Sequence, residues 1–167
     1  MLVRPAALER IGGIRAIAGE LIDDCALARE VKRRGGPVWL GLSEPTLSIR
    51  AYATFAEIGG MISRTAFTEL RHSVWLLAGT VAGLAIAYLA PPLIALAGHG
   101  WARAIGIGTW AMMSAAYFPA LRYYRLSPLA APLLPAVAAF YLGATLHSAV
   151  MYWRGSGGNW KGRVQGR

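Results

Sequence analysis

Glu69-Leu-Arg-His-Ser-Val-Trp-Leu-Leu-Ala-Gly79 is the stretch on which the fold turns. It opens on the last carboxylate side chain of the sequence and passes, within five residues, into an apolar run. All eight acids (Glu9, Glu20, Asp23, Asp24, Glu30, Glu44, Glu57 and Glu69) lie on its near side, and none occurs from His72 to Arg167. The 17 Lys and Arg residues fall on both sides, so the two halves carry +2 and +7 of the total +9. A length of 167 residues would suit one ordinary domain. The charge distribution instead divides the chain into a water-soluble piece and a membrane piece with basic ends.

Beyond this boundary three stretches lack formal charge: residues 73–102, 104–121 and 126–153, of 30, 18 and 28 residues. A helix needs about 20 apolar residues to cross a bilayer core, so each is long enough. Pro91-Pro92 removes two backbone donors and is expected to kink or divide the first. Pro128, Pro132 and Pro135 delay the regular part of the third to about residue 136. Trp75, Trp101, Tyr117, Tyr123, Tyr124, Tyr152 and Trp153 stand near run ends, where amphipathic rings favour the interface. Gly79-x-x-x-Gly83 offers a smooth stripe for helix packing. Three crossings would put residues 1–72 and the tail on opposite sides. The cations of the tail (Arg154, Lys161, Arg163, Arg167) and of the loop (Arg122, Arg125) favour one shared side. Two crossings plus one re-entrant or interfacial run, with the proline-split first run the leading choice, would reconcile them.

Before the boundary, Pro5 opens a short helix that Gly12-Gly13 ends. A second helix is expected over residues 25–34, with Leu27 and Val31 on one face and Glu30 four residues before Arg34. Val38-Trp39-Leu40 reads as a short buried strand, and Leu47, Ile49 and Ala51 alternate like an edge strand. Phe55, Ile58, Ile62, Ala66 and Leu70 recur at helical spacing, which suggests an amphipathic helix lying on the bilayer surface. These elements do not close a core by themselves and look like the end of a larger domain.

Several classes are disfavoured. The cations flank apolar runs instead of forming a stripe interleaved with aromatics, which argues against nucleic acid. The single Cys25 excludes an internal disulfide and a CxxC site. His99 and His147, isolated from carboxylates and cysteines, make a poor metal site. They read as an interfacial residue and one hydrogen-bonded to helix neighbours. The N-terminus lacks the apolar core of a signal peptide. A transporter is disfavoured because the membrane runs contain no acid.

Met1-Leu-Val-Arg-Pro-Ala-Ala-Leu-Glu-Arg-Ile-Gly-Gly13, Leu21-Ile-Asp-Asp-Cys-Ala-Leu-Ala28 and Val31-Lys-Arg-Arg-Gly35 together resemble the acceptor half of a family 2 glycosyltransferase. The tail Tyr152-Trp-Arg-Gly-Ser-Gly-Gly-Asn-Trp-Lys-Gly-Arg163 is similar to the closing segment of the bacterial hopene-associated membrane glycosyltransferases. The resemblance implies an α+β fragment, the acceptor half of a GT-A-like domain, followed by two to three hydrophobic helices. The corresponding division is a partial catalytic lobe over 1–54, an interfacial helix over 55–72, a transmembrane region over 73–153 and a basic tail over 154–167. It further implies inverting transfer from a nucleotide-sugar donor to a lipid acceptor, such as a hopanoid or other polyisoprenoid, at the bacterial inner membrane with the soluble lobe cytoplasmic. A divalent cation, Mg or Mn, is implied on the donor diphosphate. Its Asp-x-Asp does not occur in this sequence, so the ligands and the donor-binding half are expected outside the chain, for example on a separate N-terminal half.

An inverting transfer needs a base for the acceptor hydroxyl. By resemblance Asp24 takes that role, with Asp23 beside it. Two readings stand at this pair: a base poised at a helix N-terminus, or an N-cap pair without catalytic duty. Arg64 and Arg71 occupy the region where the wider family places a Gln-x-x-Arg-Trp motif, and they are candidates for the leaving diphosphate. Cations snorkelling to lipid phosphates would place them equally well. Trp160, Lys161 and Arg163 either fold back over the site or rest on anionic headgroups. The leading expectation is the C-terminal part of a membrane glycosyltransferase. The alternative is a non-catalytic small membrane subunit or assembly protein.

Overall fold

The computed structural model describes residues 1–20, 22–43 and 52–156, and the backbone of residues 159–160 and 163–164. It is built from helices. α1 (Pro5–Arg10) starts on a proline at its first turn and ends where Gly12 and Gly13 adopt positive φ. A 3-10 turn, Ile14–Ile17, leads to α2 (Asp23–Arg33). α2 carries Asp23 and Asp24 in its first turn and Lys32 and Arg33 in its last, the arrangement that complements the helix dipole. Glu30 pairs with Arg33 at 2.8 Å rather than with Arg34. Leu8, Ile11, Ile17, Ala26, Leu27 and Val31 form a small core that fastens α1 to α2.

The expected α+β lobe is not what forms. Val38-Trp39-Leu40 is unpaired and open to solvent, with Trp39 84% exposed. An extended trio of apolar residues becomes a strand only beside a neighbour that takes its backbone groups, and among the described residues no neighbouring strand stands there. The residues of the second expected strand, Leu47, Ile49 and Ala51, lie outside the described residues. Among the described residues the only strand pairing joins β1 (Asn159–Trp160) to β2 (Arg163–Val164) in the tail. The GT-A-like fold class is therefore corrected to a helical lobe followed by apolar helices.

α3 (Phe55–Glu69) begins with a reciprocal cap. The Thr54 hydroxyl accepts the Glu57 N–H at 3.2 Å, and the Glu57 carboxylate accepts the Ala53 N–H at 3.0 Å. It ends at a tight turn in which Arg71 and His72 both hold positive φ, 51° and 55°. Such values are costly for residues with a Cβ and persist where surrounding contacts enforce them. Ser73 then caps α4 (Val74–Leu84) by accepting the Leu76 N–H.

α4 continues through a π turn, Ala85–Leu89, into α5 (Ala90–Ala97), so Val74–Ala97 is one span-length helix. Pro91-Pro92 does not divide it. The Ala90 N–H reaches back to the Ala85 carbonyl, and this wider turn absorbs the change in register ahead of the two missing donors. α6 (Gly100–Tyr123) folds back on α5 through Gly106, where an added Cβ would meet the Ala95 nitrogen at 2.6 Å. The close backbone approach is thus at Gly106. Gly79 and Gly83 face open space, contrary to the packing role expected of them.

A 3-10 segment, Pro128–Leu133, leads into α7 (Leu134–Trp153), whose buried face is mostly small: Ala138, Ala144, Thr145, Ser148 and Ala149. α3 lies along that face. Phe55 meets Phe140 edge-on at 6.0 Å, the Ser63 hydroxyl and His147 Nδ1 are 3.3 Å apart, and Phe67 meets Tyr152 at 5.4 Å. Equal sequence steps separate the two ends of this seam on each helix, so the helices run side by side in the same direction. The Phe67 N–H donates to the Ser148 hydroxyl at 3.0 Å, and the Phe67 ring is 1% exposed. His72 stacks on Tyr152 at 4.1 Å, and Leu77 of α4 joins Phe67 and Ala149 in one cluster. The start of the first apolar helix and the end of the last therefore meet.

Candidate functional site

Where the α3–α4 turn faces α2, the chain encloses a polar cleft of about 330 Å³ lined by Glu20, Ile22, Arg29, Thr68, Glu69 and Arg71. α2 contributes through one face: Ile22 and Arg29 are seven residues apart, two helical turns. The far wall comes from the end of α3 and the turn that follows. Arg71 stands two residues before the Ser73 cap of α4, so the cleft opens at the head of the first apolar helix.

Asp23 and Asp24 sit at the N-terminus of α2, both exposed. Each carboxylate accepts the next residue's backbone N–H: Asp24 N–H to Asp23 at 3.0 Å and Cys25 N–H to Asp24 at 2.8 Å. Their first-turn position is fixed by donors that no earlier turn can use. Neither residue lines the cleft. Cys25 links them to it, because its thiol feels the carboxylates of both Glu69 and Asp24. Desolvation, then the hydrogen bond and charge of Glu69, then Asp24, raise its pKa above the ordinary thiol value.

The other sequence candidates divide. Arg71 lies in the cleft, whereas Arg64 lies half-buried on α3 and is not part of the lining. The backbones of Trp160 and Arg163 pair with each other across the tail hairpin. Their side chains, and Lys161, lie outside the described residues. Glu20, Arg29 and Glu69 were not singled out from sequence. The seven-residue step from Ile22 to Arg29 carried a signal for one of them, but Glu69 becomes visible only when α3 ends against α2. Among the described residues no three His, Cys, Asp or Glu converge to hold a metal ion, so they do not fit the divalent cation implied by resemblance.

The cleft can do two things chemically. Its arginines, presented from separate elements, can hold an anionic group, and the acids beside them can accept a proton. Below it stand three helices long and apolar enough to cross a membrane: Val74–Ala97, Gly100–Tyr123 and Pro128–Trp153. These features define a membrane protein with a charged cleft at the head of its spans. Residues 1–156 match the family model described as Glycosyl transferase family 21, and the chain belongs to that family. The glycosyltransferase class agrees with the resemblance, although the family matched is 21 rather than 2. No curated protein and no solved structure matches the chain.

Proposed function

We propose that this membrane glycosyltransferase moves a sugar from a nucleotide donor to the hydroxyl of a lipid presented at the bilayer surface. The observation that carries the proposal is the position of the cleft: acid and arginine side chains gather at the turn that leads into the first apolar helix. A lipid whose tail stays in the bilayer can bring its headgroup hydroxyl there without leaving the membrane. A hopanoid or other polyisoprenoid is the acceptor favoured by the tail's resemblance. The resemblance assigns the general base to Asp24, with Asp23 beside it, although neither lines the cleft. Glu69 is the second reading for that role, because it both lines the cleft and meets Cys25. Arg71 and Arg29 stabilise the negative charge that develops on the departing nucleoside diphosphate. The sequence contains no Asp-x-Asp, so donor-binding residues and the ligands of any divalent cation would come from outside these 167 residues.

The same proposal extends to the topology. Contact between His72 and Tyr152 favours an even number of crossings between them, with the lobe and the tail on one side. The density of Lys and Arg on those segments makes that side the cytoplasmic face of a bacterial inner membrane.

The test uses membranes from cells carrying the native locus, supplied with labelled nucleotide sugars, with label counted in the lipid extract. Transfer into lipid that falls at least 100-fold in Asp24→Asn, at normal protein levels, is the expected result. Full turnover in Asp24→Asn with loss in Glu69→Gln would move the base to Glu69. Absence of label in lipid from any nucleotide sugar would remove the proposed reaction.

A further inference from the structure

A second concavity lies away from the cleft, between α6 and the 3-10 segment that follows it. About 460 Å³ in volume, it is lined by Ser114, Ala115 and Phe118 of α6 and by Pro128, Leu129, Ala131 and Pro132. The 3-10 segment is tied to α6 by the Trp110 indole, whose N–H donates to the Pro132 carbonyl at 3.0 Å. Its walls offer little to a polar ligand. Pro128 and Pro132 have no backbone N–H to give, and the Ser114 hydroxyl is spent on the Trp110 carbonyl at 2.9 Å. An apolar chain is what such a groove accommodates.

The mouth has different chemistry. Ser114, Phe118 and Arg122 are spaced four residues apart, so Arg122 stands one turn beyond Phe118 on the face that forms the groove. Arg125 lies in the turn joining the two walls, with Tyr123 and Tyr124 beside it. The stretch from His72 to Arg167, which forms both the groove and its rim, carries no carboxylate side chain. Apolar walls under a cationic rim are complementary to one class of molecule.

We propose that this groove holds one acyl chain of an anionic phospholipid, with the lipid phosphate at Arg122 and Arg125. The site is separate from the transfer cleft, and neither reading depends on the other. It would brace the 3-10 segment, whose prolines leave it poor in backbone hydrogen bonds, against α6.

The experiment takes the full chain purified in mild detergent and stripped of lipid. It is exposed to mixed micelles containing equal phosphatidylglycerol and phosphatidylcholine, then repurified, and retained lipid is counted by native mass spectrometry. Phosphatidylglycerol should be retained preferentially, with about a fivefold contribution from each arginine. Arg122→Gln should reduce the preference about fivefold, whereas Arg103→Gln, at the other end of α6, should leave it unchanged. Ala115→Trp, which fills the groove, should abolish retention of both lipids while helical circular dichroism is kept. Equal retention of the two lipids, an unaltered preference in Arg122→Gln, or a second copy of the chain in place of lipid would each overturn the proposal. Arg122 is exposed on a helix end, so its variant tests the idea even if the tryptophan variant does not fold.

Discussion

Replacing Phe67 by alanine is the sharpest test of how the lobe is joined to the membrane helices. The ring is 1% exposed and meets His72, Tyr152 and Trp153 at centroid distances of 5.5, 5.4 and 5.7 Å. Truncating a buried Phe to Ala costs about 3–5 kcal/mol, the removed transfer energy plus the cavity left behind. Lipid-facing surroundings supply less hydrophobic drive between helices, so the lower end, about 3 kcal/mol, is the expectation here. For a chain of this size that corresponds to a fall in Tm of roughly 6–12 °C. Phe55 provides the control. It lies on the same helix and also touches α7, but is 79% exposed, so Phe55→Ala should cost under about 1 kcal/mol. The assay is near-ultraviolet circular dichroism of detergent-solubilised protein at one fixed scan rate, which follows loss of the aromatic packing to which Tyr152 and Trp153 contribute. A Phe67→Ala melt within about 2 °C of the parent, or equal losses in the two variants, would refute the claim that this cluster fastens α3 to α7.

Three further outcomes follow from the same structure. Arg71→Gln should lower sugar transfer about 100-fold if Arg71 meets the leaving diphosphate, while Arg64→Gln, outside the cleft, should lower it far less; equal effects in the lipid-label assay would contradict that division. Desolvation and the neighbouring carboxylates raise the Cys25 pKa, so its thiolate forms only at higher pH. Glu69→Gln removes a raising influence, and the iodoacetamide rate profile of this single cysteine should shift to lower pH; a shift upward, or none, would contradict the contact. In oriented vesicles an impermeant maleimide should reach native Cys25 and a cysteine placed at Ser156 (in Cys25→Ser) from the same side, and labelling from opposite sides would restore three full crossings.

The membrane helices were legible because their signal is local. Freedom from charge over the length of a span is read residue by residue, and the three uncharged runs correspond to Val74–Ala97, Gly100–Tyr123 and Pro128–Trp153. The short helices of the lobe were legible for a similar reason, since Pro5, the Gly12-Gly13 pair and Gly35 punctuate the chain whatever surrounds them. Partnership is a different kind of information. Val38-Trp39-Leu40 has the composition of a strand, but the neighbour that would complete it is not written in those residues. Gly79 and Gly83 share a helix face, yet only the fold shows that the close contact belongs to Gly106. The candidate site divides along the same line. Arg71 was visible from its position before the first span, whereas Glu69 acquires meaning only through the meeting of α2 and α3.

Topology shows how the two kinds of information combine. Charge counting brought the lobe, the Arg122–Arg125 loop and the tail to one side, and the prolines pointed to the first run as the one that fails to cross. The contacts favour a different solution. Val74–Ala97 is continuous because the π turn carries it past Pro91-Pro92, and α6 returns antiparallel to it through Gly106. The chain then doubles back: Pro128 and Leu129 share a groove with Phe118, and the Pro132 carbonyl accepts from Trp110, thirteen residues before the end of α6 at Tyr123. α7 thus begins alongside the interior of α6 and ends beside Leu77 and His72. In the proposed topology the third run dips into the bilayer and returns, while the first two cross. The prolines retain a role in this solution, because a segment with few donors to satisfy is one that can re-enter when protein covers one side of it.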